Sequence, residues 1–173
     1  MFQNVNFDVS YLKSYFAIFK DKAVVNRNEK TRRVILEATE NLVSSFGYIP
    51  SDIDYIFTTL KNHLQSNPEI FASAFAFLPE ILCSCPVVLR DENEFKKKDI
   101  AKAFMYANAV WYDVPVKQGK PAWSAPYFDI GKAGEDILLT SYSVPVFDKN
   151  DKLIGVLISD LLLARLEDIQ KIE

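Results

Sequence analysis

The sequence predicts an α+β domain with one central antiparallel sheet and helices over one face. Three observations carry this. Val34, Ala38, Leu42 and Phe46 recur every four residues, with Ile35 and Val43 beside them, which is the apolar stripe of a helix. The apolar runs from Ile70 onward are short, as buried strands are, and the last of them are joined by tight polar turns that favour antiparallel pairing. At 173 residues, one core is the default.

Residues 1–28 mix aromatics with Lys and Asn and read as a moderately amphipathic helix, frayed at its start. Joined to the stripe that ends near Gly47, they predict one long helix over residues 1–48, a stalk or dimer helix, ahead of a module over 49–173. Ser51 is placed as the N-cap of a second helix, whose apolar face is Ile53, Ile56, Phe57, Leu60 and Leu64 and which stops at Asn67-Pro68. Ile70 to Leu78 predicts a strand buried on both faces. Ile81 to Leu89 predicts a second, interrupted by Pro86. Arg90 to Lys98 reads as a charged loop, and Asp99 as the cap of a helix through Ile100, Ala103, Phe104 and Ala107 into Trp111-Tyr112. Trp123 to Ile130 follows as a strand, Gly131 to Gly134 as a turn, and Ile137 to Phe147 and Leu153 to Ser159 as a hairpin around Asp148–Lys152. Leu161 to Ile172 closes the chain as an amphipathic helix, for which Asp160 is a candidate N-cap.

A net charge of −3 is the wrong sign for gripping a phosphate backbone, so nucleic acid is not an expected partner. The runs Lys30–Arg33 and Lys96–Lys98 read as solvated faces. No run of 18 apolar residues is present, and a secretory signal order is absent. Cys83 and Cys85, one residue apart, are poorly placed for a disulfide and read as two small buried hydrophobes. With His63 the lone histidine and no GxSxG, HExxH, P-loop or CxxC motif, no catalytic residue, metal or cofactor is expected.

The segment Trp111 to Asp129 gathers rings, prolines and a loop glycine where a helix meets the sheet. Trp and Tyr carry an apolar body and one polar tip, which suits enclosing a small polar molecule, although the same rings could simply fill core. Asp160 sits between LIGVLIS and LLL. A carboxylate there needs a partner, either the helix it caps or a cationic group of a ligand.

WSAPYFDIG and LLTSYSVPVFDKNDKLIGVLISDLLLARL resemble the C-terminal half of the Cache, or PDC, domains. These are PAS-like extracytoplasmic sensors of histidine kinases, chemotaxis receptors, diguanylate cyclases and phosphatase regulators. The resemblance covers roughly Val34 to Leu166 and implies a long N-terminal helix followed by a five-stranded antiparallel sheet flanked by helices, in a single module. It implies no enzyme. In the amino-acid-binding branch an Arg-x-Trp-Tyr segment holds the ligand carboxylate, and a later Tyr and two Asp complete the pocket. Trp111, Tyr112, Tyr127, Asp129 and Asp160 stand at the matching places, with Trp123 and Tyr142 added as candidate ligand-binding residues. Ala109 stands where the arginine would be. Loss of that bidentate clamp leads to the expectation of an amine or other small polar metabolite rather than a standard amino acid.

The expected function is the extracytoplasmic sensing domain of a transmembrane receptor. A homodimer through the N-terminal helix is expected to be open to it, and contact with the membrane is expected only through other parts of the parent chain. The alternatives are a structural or protein-interaction domain of the same fold without a ligand, and a free-standing cytoplasmic protein.

Overall fold

The structure, a computed structural model, describes residues 22–45, 52–102, 105–129 and 137–165. Helix α1 is Lys22–Ser45 and α2 is Ile53–Ser66. The strands are β1 Ala72–Phe77, β2 Pro86–Asp91, β3 Glu94–Asp99, β4 Ala122–Trp123, β5 Tyr127–Asp129, β6 Ile137–Phe147 and β7 Leu153–Arg165. A 3₁₀ turn, Tyr106–Asn108, leads into helix α3, Val110–Gln118.

Every described pairing is antiparallel, in the order β3-β2-β1-β7-β6-β4, with β5 also on β6. Five main strands and two short edge pieces therefore make one sheet. Alternation along the strands sorts side chains to two faces. On β1, ASAFAF sends Phe75 and Phe77 to one side and Ala72, Ala74 and Ala76 to the other. The Phe side meets Ile35 of α1 and Ile56, Leu60 and Leu64 of α2, all fully buried. Losing a ring such as Phe75 from it would cost about 3–5 kcal/mol.

The apolar stripe of α1 is occupied by this packing. Ile35 and Thr39 are fully buried and the helix lies against β6 and β7 over this stretch. Residues 1–21 and the expected helix end at Gly47 lie outside the described residues, as does Ser51. The cap of α2 is Asp52, whose Oδ1 accepts from the amides of Asp54 (2.9 Å) and Tyr55 (3.3 Å). Its other end is held by Arg90, which donates to the carbonyls of Leu64, Asn67 (3.1 Å) and Ile70 (2.8 Å).

Several expectations fail for nameable reasons. Pro86 opens β2 instead of interrupting a strand from Ile81, since a first position needs no amide in the ladder. The charged segment read as a loop is the β2–β3 hairpin, turning at Glu92 with φ of 49°. Among the described residues Asp99 caps no helix. It ends β3 and accepts hydrogen bonds from Ser84 Oγ (2.6 Å) and the amides of Cys85 and Ala101 (both 3.0 Å). The helix begins only at Val110. Cys85 is buried, but Cys83 is exposed. Helices cover both faces, because Tyr106 and Tyr112 of the 3₁₀ turn and α3 pack on Ala74, Ala76, Val156 and Ile158. Trp123 to Ile130 is broken into β4 and β5 by Ser124–Pro126. Finally, Leu161–Arg165 extend β7: Leu161 pairs with Thr140 and Leu162 with Leu139, so Asp160 is mid-strand and not an N-cap. The expected turn at Gly131–Gly134 and the rest of the closing helix lie outside the described residues.

Candidate functional site

On the alanine side of β1 the sheet is not filled. The small side chains of Ala72 and Ala74 leave a cavity of about 470 Å³, roofed by the start of α3 and by the Ser124–Asp129 segment. Its size falls in the range of small-molecule sites. Phe71, Trp111, Tyr127 and Phe128 supply rings, while Asp129, Asp160, Lys98 and Asn108 supply polar groups.

The polar floor is a chain across three strands. Tyr127 Oη on β5 lies 2.8 Å from Ser141 Oγ on β6, and Ser141 donates to Asp160 Oδ1 on β7 at 2.6 Å. With the serine proton directed to the carboxylate, Tyr127 is the donor to Ser141. The register sets this up, since Ser141 and Asp160 are direct cross-strand partners. Burial raises the Asp160 carboxyl to about 7; the Ser141 hydrogen bond opposes the rise and the charge of Asp129 adds to it. Burial, and then Asp160, push the Tyr127 hydroxyl well up, so it stays a neutral donor. A cation placed against this floor would draw Asp160 into its ionised form.

The expected site residues divide in two. Trp111, Tyr127, Asp129 and Asp160 line the cavity. Tyr112 does not: one position round the helix from Trp111, it stacks edge-on to Tyr106 (5.3 Å) and its hydroxyl reaches the Phe77 carbonyl (3.4 Å). Trp123 and Tyr142 are direct pairing partners on the opposite face of the sheet. There Arg32 of α1 lies 4.3 Å over the Trp123 ring, and Tyr142 donates to Glu40 at 2.6 Å. The irregular Ser124–Pro126 stretch reverses the facing between β4 and β5, which is why Trp123 and Tyr127 part. Ala109 does line the cavity, beside Trp111. Lys98 and Phe71 were missed; alternation with Val87, the β2 partner of Lys98 that also lines the cavity, is the signal that places Lys98 here.

A second polar cluster lies under the helices. Thr39 Oγ1 is 2.8 Å and His63 Nε2 is 3.2 Å from Ser159 Oγ. Burial lowers His63 to about 4, so the ring is neutral, and it packs as structure. Among the described residues no group of His, Cys, Asp and Glu could hold a metal, and no helix is long and apolar enough to cross a membrane. The Cys85 thiol is pushed well up, first by burial and then by Asp99 and Asp160, which leaves it a poor nucleophile.

A sheet with its long helix on one face and a roofed cavity on the other defines a PAS-like sensor domain. The chain belongs to the methyl-accepting chemotaxis protein-like PDC sensor family, whose first-sensor-domain model matches residues 56–168. It is similar to the extracellular domain described as that of histidine kinase soHK1S-Z6, at 25% identity and a TM-score of 0.72, covering 94% of this chain and 66% of that one. Methyl-accepting chemotaxis protein X shares the fold, at 22% identity and a TM-score of 0.69, covering 92% of this chain and 66% of that one. So does the ligand-binding domain of the Campylobacter jejuni chemoreceptor Tlp3, solved with L-valine, at 17% identity and a TM-score of 0.63 over 93% of this chain and 65% of that one. The chain thus spans about two thirds of the length of these structures. No curated protein matches it.

Proposed function

We propose that the chain is the ligand-sensing part of a transmembrane signalling receptor, lies on the extracytoplasmic side, and binds a small molecule bearing a cationic amine in the cavity above Asp160. The observation that carries this is the buried Asp160 carboxyl on a polar floor inside a largely apolar cavity to which Phe71, Trp111, Tyr127 and Phe128 contribute rings. Desolvated carboxylates are costly without a cation, and aromatic walls attract one. Trp111, Tyr127, Asp129 and Asp160 are its contacts in this reading. Ala109 provides no guanidinium, which weighs against the α-carboxylate clamp, although Tlp3 takes L-valine in a related fold.

Residues 49–173 hold the cavity in this reading and the helix within 1–48 carries its signal, because the ligand must favour one of two arrangements to be sensed. A homodimer would run through the outward face of α1, since its inward face is on the sheet.

A thermal-shift screen of amines, amino acids and other polar metabolites tests the proposal. Stabilisation by amines that disappears in Asp160→Asn and Trp111→Ala is the expected result. A screen with no stabilising amine would overturn it and favour a fold kept for protein contacts.

A further inference from the structure

Resting on that reading, we infer that Lys98 is an anion anchor at the far side of the same cavity, so that the ligand is an extended dipolar molecule of the ω-amino acid type. The argument is one of register. Asp160 pairs with Ala72, Ala72 with Leu89, and Leu89 with Lys96, which forms a row across β7, β1, β2 and β3. Lys98 lies two residues along β3 from that row and pairs with Val87, which also lines the cavity. Both charged side chains therefore face one space from strands three steps apart.

Three steps at about 4.8 Å across the sheet and two residues at about 3.4 Å along β3 place the two backbone positions about 16 Å apart. Strand side chains stand roughly perpendicular to the sheet, so much of that separation persists at their tips. Allowing about 3 Å for a charged contact at each end leaves roughly 10 Å, or less where the lysine stem leans inward. An α-amino acid places its nitrogen only about 2.5 Å from its carboxyl carbon and cannot meet both groups. An ω-amino acid of five or six carbons, which reaches roughly 7 to 9 Å from nitrogen to carboxylate oxygen when extended, spans the interval with the lysine stem leaning inward. Ammonium at Asp160 and Asp129, a methylene chain over Ala72 and Ala74, and carboxylate at Lys98 fit a cavity that is small-walled in its middle and charged at both ends.

Calorimetry with glycine, L-valine, 4-aminobutanoate, 5-aminopentanoate, 6-aminohexanoate and pentylamine tests this on the wild type, Lys98→Met and Lys98→Arg. Lys98 is exposed on an edge strand, so both variants should fold, and their melting temperatures check it. The best ω-amino acid should bind at least about tenfold tighter than pentylamine, as befits one charge-assisted contact. That gap should close in Lys98→Met and largely return in Lys98→Arg. Glycine or L-valine binding as tightly as the best ω-amino acid, or a gap that survives Lys98→Met, would overturn the inference alone. Failure of pentylamine and all five amino acids to bind would overturn it together with the amine reading beneath it.

Discussion

Ser159 and Asp160 are consecutive on β7 and serve opposite sides of the sheet. Asp160 takes the Ser141 hydrogen bond on the cavity floor, while Ser159 meets Thr39 of α1 and His63 of α2 beneath the helices. A ligand-driven shift of β7 at Asp160 would have a direct route, one residue long, to the long helix. Thr39→Val together with Ser159→Ala should leave ligand affinity within about twofold while reducing the ligand-induced change in hydrogen exchange along α1. Undiminished exchange changes in the double variant would remove this route.

The Asp160 carboxyl, raised to about 7 in the fold, holds its proton more tightly there than in the unfolded chain. Its contribution to stability is therefore complete below about pH 4 and lost as pH rises through 7. Asp160→Asn should raise stability at pH 8, by on the order of 4 kcal/mol at most, and much less at pH 4. Denaturant melts at both pH values decide it; equal effects at the two would refute the assignment.

His63 works the other way. Lowered to about 4 by burial, it stays neutral in the fold while the unfolded chain takes up protons below about pH 6.5. Stability should fall by roughly 3 kcal/mol between pH 6.5 and 4 from this group. His63→Gln should flatten that limb of the pH–stability profile, and an unchanged slope would count against it.

Trp123 packs with Tyr142 and Arg32 on the helix side, away from the cavity. Trp123→Leu should lower the melting temperature and leave ligand affinity unchanged, whereas Trp111→Ala should abolish most binding. Paired thermal melts and calorimetry separate the two; loss of affinity in Trp123→Leu at full folding would contradict the placement.

Gly155 pairs with Phe77, and a Cβ there would sit 2.5 Å from the Ala76 carbonyl oxygen and 2.9 Å from the Phe75 ring. Backbone cannot step aside as a flexible side chain can. Gly155→Ala should cost about 3 kcal/mol or more, read as a drop in the denaturant midpoint.

Legibility in the sequence followed locality. The strand Ile137–Phe147 and its polar turn stood out because alternation and turn chemistry are local signals, and the structure has them at those residues. β3 did not, since GluPheLysLysLysAsp is an edge strand whose lysines guard against further pairing and leave one apolar residue to betray it. Leu161–Arg165 read equally well as helix; only pairing with Ile137–Thr140, some twenty to thirty residues away, decides for strand. The same limit split the candidate site. Resemblance placed Trp111, Tyr112, Tyr127, Asp129 and Asp160 together, and Tyr112 turned instead toward Tyr106; which side of the sheet Trp123 and Tyr142 face depends on a kink at Ser124–Pro126 that composition does not reveal.

In β1, alternate residues answer to different masters: the phenylalanines to the helices, the alanines to the cavity. Ala72 and Ala74 could thus grow or change under selection for a new stimulus while Phe75 and Phe77 keep the helix face intact. A lineage could retune what it detects, a codon at a time, on an unaltered frame.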